Sequence, residues 1–334
     1  MIKRKVIIVL GPTGSGKSDI AYKIAKDFNG FLIVADSRQI YKVMDIGTNK
    51  DPVKLCRSPL CETTAERAAN KVLRHSLPQG TVTRKYCWNG IEECLVNIIS
   101  PDQSFTLDDW LKACKKEIKN HPDQVPVIVG GTGLYISALV NNYQLQGSLD
   151  NKLRQKAEKL LETKGVEFLL NEIKKIDPEI EHKIESTNPR RVLRAYEICT
   201  ATGQPLQTKK TQAEYEFLQL GIKVDKVKLY LKLDKRAKEQ FEQGLVEETE
   251  SLLKKYDKNL PAMSGIGYRQ VIRFLEGEIS KEQAIELNQR DNRRYAKRQL
   301  TWFKRDKSIK WIDSYKHAKD IIKSFIKEKP QDDA

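Results

Sequence analysis

Residues 11–18 read Gly11-Pro12-Thr13-Gly14-Ser15-Gly16-Lys17-Ser18, a G-x-x-x-x-G-K-[ST] run set directly behind the apolar stretch Val6-Ile7-Ile8-Val9-Leu10. A short β-branched run reads as a buried parallel strand. The glycines let a loop turn tightly with its backbone N–H groups facing inward. Asp19 to Phe28 reads as the helix that follows. Strand, loop and helix in that order form a phosphate cradle. The helix contributes its positive end, Lys17 a mobile charge, and Ser18 a hydroxyl for a magnesium ion. Such a loop takes a di- or triphosphate, but it leaves the chemistry open.

Two further runs extend the pattern. Phe31-Leu32-Ile33-Val34-Ala35 ends at Asp36, and Val125-Pro126-Val127-Ile128-Val129 runs into Gly130-Gly131-Thr132-Gly133. Strands alternating with helical stretches predict an α/β fold with a parallel sheet core, of the P-loop NTPase-like kind. Ligands sit at the carboxyl ends of such strands, so the cradle, Asp36 and Thr132 line one crevice. An acid at that place ligates magnesium or takes a proton from an attacking group; Asp36 is otherwise a helix cap. A hydrolysing motor also needs an acid after a later strand. The third run ends in glycines instead, which favours transfer to a bound acceptor.

With 334 residues, the chain has room for about two domains. Residues 51–90 are irregular and read as a long connection or small insertion. From 141 to 211 apolar residues take helical spacing. There Asn188-Pro189 opens a helix, Val192, Ala195, Tyr196 and Cys199 make its apolar face, and Gly203 ends it. The expected division is therefore a core of 1–140 and 212–326, with C-terminal helices, around an inserted helical domain of 141–211. Val227 to Leu233 alternates like a strand. Ser280, with Gln283 three residues on, opens a long helix reaching about Arg305.

The net charge of +15 points to a polyanionic partner. Arg190, Arg191 and Arg194 open one helix. Between Arg290 and Lys310 there are nine Lys or Arg and two Asp or Glu. Arg290, Arg294, Lys297, Arg298, Thr301 and Arg305 fall near one helical face, with Tyr295 and Trp302 interleaved. A basic stripe with aromatics suits nucleic-acid phosphates and stacked bases; the two aromatics alone read more simply as packing inward. Because the cradle lies far away in sequence, the stripe is expected to bind nucleic acid without touching the cradle's ligand. No run approaches the roughly 18 apolar residues of a membrane helix, and residues 1–10 lack a signal peptide's apolar core, so no membrane partner and a cytoplasmic location are expected. Four of the six cysteines, Cys56, Cys61, Cys87 and Cys94, lie close together with His75 nearby. Their spacings are not those of zinc knuckles, and ordinary reduced thiols are expected.

Taken in order, GPTGSGKS at 11, DSRQIYKVMDIGTNK at 36, VGGTGLYISAL at 129, NPRRVLRAYEI at 188, GIGYRQV at 265 and RRYAKRQLTWFKRD at 293 make the chain resemble the tRNA dimethylallyltransferases (tRNA isopentenyltransferases), of the bacterial type. The resemblance implies transfer of a dimethylallyl group from dimethylallyl diphosphate to N6 of an adenosine, the one at position 37, just 3′ of the anticodon. The cradle then holds a diphosphate leaving group, with Mg2+ as cofactor and the tRNA anticodon stem-loop as partner. By resemblance Asp36 is the general base, Thr13 lies near the reacting centre, and Lys17 and Arg236 bind the diphosphate. Asp36, Ser37, Arg38 and Gln39 match tRNA-contacting positions. So do Thr132, Arg154, Arg190, Arg191, Val192, Leu193 and Arg194, and so do Ser264, Gly265, Ile266, Gly267, Tyr268 and Arg269. Arg294, Lys297 and Arg298 of the basic stripe are added to them. A monomer is expected.

Two departures stand out. Where the family carries Gly-Ile-Pro-His-His-Leu, this chain has Gly90-Ile91-Glu92-Glu93-Cys94-Leu95, after a longer link. The segment before Arg236 is also shorter. Three other readings of the residues stay open: an enzyme prenylating free adenine nucleotides, a P-loop kinase of a small metabolite, and a non-catalytic RNA-binding protein.

Overall fold

The computed structural model describes residues 3–52, 54–55, 86–144, 151–207 and 209–327. Cys56, Cys61 and His75 lie outside them. The chain divides into two units, residues 1–140 with 213–334, and residues 141–212.

In the larger unit, β1 (Lys5–Leu10), β2 (Gly30–Ala35) and β6 (Val125–Gly130) are apolar throughout because both of their faces are covered. They pair in parallel, with Ile7 opposite Val127 and Leu32 opposite Val127 on the other side. Flanking strands are β3 (Lys54–Leu55), β4 (Tyr86–Trp88), β5 (Ile91–Cys94), β9 (Glu216–Ile222) and β10 (Lys310–Ile312), and the eight-stranded sheet runs β10-β9-β1-β6-β2-β5-β4-β3. It is parallel from β10 to β5; β4 runs the other way, and β3, antiparallel to β4, returns to the common direction. Asn89 and Gly90, both at positive φ, make the tight turn from β4 to β5. The chain passes from β1 to β2 across the position later filled by β6. This leaves a crevice at the carboxyl ends of these three strands.

Helices cover the sheet: α1 (Lys17–Asp27), α2 (Leu107–Asn120) and α3 (Gly133–Val140) in the first part of the chain. Ile24 and Ala25 of α1 join Val9, Leu32, Val127 and Leu220 in the main core. In the smaller unit, α4 (Asn151–Lys174) is broken at Gly165, whose φ of 79° and ψ of 177° are not helical. It packs with α5 (Ile180–Lys183) and α6 (Pro189–Thr202) around Leu169, Ile173, Val192 and Cys199. Helix α6 opens on the Asn188 cap and Pro189 and closes on left-handed Gly203, as its sequence signals predict. A two-stranded ribbon, β7 (Tyr143–Gln144) with β8 (Lys209–Lys210), completes the unit.

The expected strand at Val227 to Leu233 is a helix. It lies in α7 (Lys226–Glu242), capped by the Asp225 carboxylate, which accepts from Lys228 N–H at 2.8 Å. Val227 and Leu231, which made the alternation, are 68 % and 65 % exposed, while Leu229, Leu233, Ala237 and Phe241 are buried at four-residue spacing. The longer helical period outweighs seven residues of alternation. The central-sheet strand next to β1, β9, is among those the sequence reading did not name. After α7 come α8 (Leu245–Leu253), α9 (Tyr268–Leu275), α10 (Lys281–Phe303), with the expected Ser280–Gln283 capping box, and α11 (Tyr315–Lys327).

Candidate active site

The loop between β1 and α1 turns on Gly14 and Gly16, at φ 79° and 80°. Gly16 is the N-cap of α1, so Lys17 and Ser18 are its first residues. This loop, Asp36 and the end of β6 line one polar cavity of about 420 Å3. Lys17, Lys232, Lys235 and Arg236 bring positive charge to it; Asp19, Asp36, Asp51, Glu93 and Glu239 bring negative charge. Burial holds the Lys17 ammonium below its usual pKa, against the pull of Asp36.

Arg236, on α7, lines the same cavity. Its Nη2 donates to Thr13 Oγ1 at 2.9 Å and to Asn292 Oδ1 at 3.2 Å. Its Nε is buried with no partner, and burial lowers the guanidinium pKa to about 10. A cation held by neutral groups, with a donor to spare, is suited to an anion. Gln299 of α10 accepts from Thr13 N–H at 2.9 Å and donates to Gly131 O at 2.9 Å. A Cβ on Gly131 would stand 2.2 Å from that amide nitrogen, so a larger residue there would displace the Gln299 amide from this contact. Helix α10 therefore reaches the cradle directly, through Asn292 and Gln299, despite the long separation in sequence.

Asp36 follows β2 and accepts from Arg38 N–H at 2.8 Å. Ser37 N–H donates to Thr132 Oγ1 at 3.3 Å, which ties the ends of β2 and β6. The Ser18 hydroxyl donates to Asp51, whose carboxyl is pushed up by burial. Glu93 is 3 % exposed, its Oε2 has no partner, and burial raises its pKa to about 8, with Asp51 adding to the effect. Ser18, Asp51 and Glu93 form an all-oxygen donor set of the kind magnesium takes, and an unpartnered buried carboxylate oxygen is the group such an ion satisfies.

Around this centre Arg38 donates to Pro261 O at 2.5 Å and to Ser264 Oγ at 3.1 Å, so the 36–39 and 264–269 segments adjoin. Gln39 donates to Asn49 O at 3.2 Å. Glu248 accepts from the N–H groups of Asp45, Ile46 and Gly47 at 3.0, 2.9 and 3.1 Å and from the Tyr268 hydroxyl at 2.6 Å. Tyr268 is 1 % exposed and serves packing, while Ser264 and Arg269 are exposed; Arg269 pairs with Asp291 at 2.5 Å. On α10 Arg290, Arg294, Lys297, Arg298 and Thr301 are all exposed, as is Arg305 just beyond it. Tyr295 is mostly buried beside Thr132 and under Arg298 at 5.7 Å; Trp302 stays 41 % exposed and donates to Ser137 at 3.2 Å.

In the smaller unit Arg190, Arg191 and Arg194 are exposed, with Arg191 near Glu185 at 3.5 Å and Arg194 donating to Glu197 at 2.9 Å. Arg154 pairs with Glu158 at 3.0 Å. Val192 is fully buried and Leu193 partly buried, so their side chains belong to the core. Sequence reasoning missed Asp51, Glu93, Glu248, Asn292 and Gln299. The only sequence signal is the seven-residue spacing of Asn292 and Gln299, which puts them on one side of α10.

A family model described as IPP transferase matches residues 83–306. The chain is similar to the tRNA dimethylallyltransferase of Acetivibrio thermocellus, 37 % identical over 331 residues and 96 % of each chain. It is similar also to that of Carboxydothermus hydrogenoformans, 36 % identical over 333 residues and 97 % of each. Among solved structures it resembles the tRNA isopentenylpyrophosphate transferase of Bacillus halodurans, with a TM-score of 0.63, 30 % identity and coverage of 97 % of this chain and 95 % of that one. A eukaryotic dimethylallyltransferase acting on tRNA gives a TM-score of 0.78 at 26 % identity, covering 98 % of this chain and 81 % of that one. With the cradle, its neighbouring acid and this likeness along nearly its whole length, the chain belongs to the IPP transferase family.

Proposed function

We propose that this protein transfers a dimethylallyl group from dimethylallyl diphosphate to N6 of the adenosine at position 37, 3′-adjacent to the anticodon of a tRNA. The observation that carries this reading is a cavity lined both by a complete phosphate cradle after β1 and by a carboxylate, Asp36, after β2, while β6 runs into glycines rather than an acid. That arrangement serves departure of a phosphate group toward an organic acceptor better than activation of water.

In the step, N6 bonds to the allylic carbon as the carbon–oxygen bond to diphosphate breaks. The electron pair leaves on diphosphate, and Asp36 accepts the proton that N6 loses. The N–H groups of Gly14, Gly16, Lys17 and Ser18, with the Lys17 and Arg236 side chains, hold the leaving group, and Thr13 positions Arg236. Ser18, with Asp51 and Glu93 beside it, would hold a magnesium ion, which supplies positive charge to the departing diphosphate. Asp36 to Gln39, Thr132 and Ser264 to Arg269 are assigned to the tRNA, with Arg154 and Arg190 to Arg194. Arg294, Lys297 and Arg298 meet its backbone. The buried Val192, Leu193 and Tyr268 act by holding the segments that carry these contacts. Among the described residues no helix is long and apolar enough to cross a membrane. We place the enzyme, as a monomer, in the cytoplasm with its substrate.

The test is incubation with magnesium and labelled dimethylallyl diphosphate, with tRNA, AMP, or ATP plus small metabolites. Label on N6 of a tRNA adenosine supports the reading. Label on AMP identifies an adenylate prenyltransferase, phosphoryl transfer a kinase, and tRNA binding without transfer a non-catalytic protein.

A further inference from the structure

The two residues flanking Glu93 turn to the other face of β5, since strand side chains alternate. There Glu92 and Cys94 meet Glu117 and His121, four residues apart at the end of α2. Cys94 Sγ lies 3.8 Å from Glu92 Oε1 and 3.7 Å from Glu117 Oε2. His121 Nε2 lies 3.2 Å from Glu92 Oε1. The donor atoms of Glu92, Cys94 and His121 all fall within 4.8 Å of one another.

From Glu92, Cys94 and His121, with Glu117 in reach of Cys94, we infer a second metal site, built for a zinc-like divalent transition metal and separate from the phosphate cradle. Zinc bonds of about 2.3 Å to sulfur and 2.0–2.1 Å to nitrogen or oxygen make a tetrahedron whose edges are about 3.3–3.5 Å. The three contacts above are of that size. A thiolate and an imidazole among the donors favour zinc over magnesium or calcium, which take oxygen.

The imidazole is already set for the task. His121 Nδ1 is 2.9 Å from the backbone carbonyl of Glu117. A carbonyl only accepts, so Nδ1 carries the hydrogen, and in the neutral ring Nε2 keeps its lone pair toward Glu92 and Cys94. In the metal-free protein a proton between Nε2 and Glu92 makes an ion pair at 3.2 Å, and a metal ion takes that proton's place, releasing it to solvent. The ring is fixed by stacking on Phe31, centroids 4.1 Å apart and planes at 25°. The helix end is fixed by Arg4, which donates to the carbonyls of Ile118, His121 and Gln124. A metal here joins the strand that carries Glu93 to the end of α2. The sequence reading looked among the clustered cysteines and His75 and found no such spacing. Among the described residues of that cluster Cys94 takes part, with partners from a distant helix, while Cys87 is disulfide-bonded rather than the reduced thiol expected.

Binding also requires loss of the Cys94 thiol proton to solvent, with no change of oxidation state. The test uses the full-length protein, stripped with a chelator and titrated with Co2+. One equivalent per chain is expected, with a thiolate-to-cobalt charge-transfer band and the intense visible bands of a tetrahedral site, all displaced by Zn2+. Cys94→Ser should lose the charge-transfer band, His121→Gln should weaken cobalt binding by about 10- to 100-fold, and Cys199→Ser should keep both. Circular dichroism of each metal-free variant checks its fold. Absence of a stoichiometric thiolate band in the wild type, or its persistence in Cys94→Ser, overturns the inference.

Discussion

Replacing Arg236 with Met separates a diphosphate-binding group from a structural strut. Burial lowers the guanidinium from its ordinary value to about 10. At about 1.36 kcal/mol per unit, the buried charge costs up to about 3 kcal/mol of folding free energy. The sign follows from the direction of the shift: the folded pKa of this base is depressed, so the cost is present below about pH 10 and fades above it. The side chain also makes two hydrogen bonds, to Thr13 and Asn292, each worth about 1.5 kcal/mol, the lower end for a charged donor. At that value the two effects nearly cancel in Arg236→Met, so its Tm without ligand should stay within a few degrees of wild type. Against dimethylallyl diphosphate the loss should not cancel. A charged hydrogen bond contributes about 1.5–3 kcal/mol, so KM for the donor, or the inhibition constant of inorganic diphosphate, should rise about 10- to 150-fold. The assay pairs donor kinetics with thermal unfolding, with and without magnesium diphosphate. Wild type should be stabilised by the ligand and the variant far less. A collapse in Tm with unchanged donor kinetics would refute the reasoning and make Arg236 a strut for the loop.

Asp36→Asn should lower turnover by about 10²- to 10⁴-fold with little change in tRNA affinity, the loss expected of a general base; near-normal turnover removes that role. Joint replacement of Arg294, Lys297 and Arg298 by Ala should weaken tRNA binding and flatten its log–log salt dependence by about one unit per lost phosphate contact. Donor binding should be spared, because Asn292 and Gln299 on the other face stay intact; parallel salt lines of equal affinity exclude the stripe from the tRNA site. Burial raises Glu93 from 4.5 to about 8, so the folded state holds a proton there that the unfolded chain gives up above 4.5. Stability of the metal-free protein should fall as pH rises from about 5 to 8, by at most about 1.4 kcal/mol per unit from this group, and Glu93→Gln should flatten that slope in thermal unfolding.

The sequence by itself determined the parts whose signals are short-range. The cradle is legible because its strand, glycines, Lys17 and Ser18 are contiguous. The parallel sheet is legible because strands covered on both faces must be apolar throughout, and α6 and α10 because their caps lie beside their apolar faces. Where two local patterns competed, as at Val227 to Leu233, only packing decided: burial of Leu229 and Leu233 made a helix of apparent alternation. The tertiary structure alone decided which residues face the cavity. Strand order brings Glu93 toward a loop some eighty residues earlier, and one face of α10 brings Asn292 and Gln299 to Arg236 and Thr13 while the other keeps its arginines in solvent. Glu92, Cys94 and His121 likewise meet only because β5 pairs beside β2 and the end of α2 returns to it. Such meetings depend on chain crossings of long range, and nothing in local spacing records them.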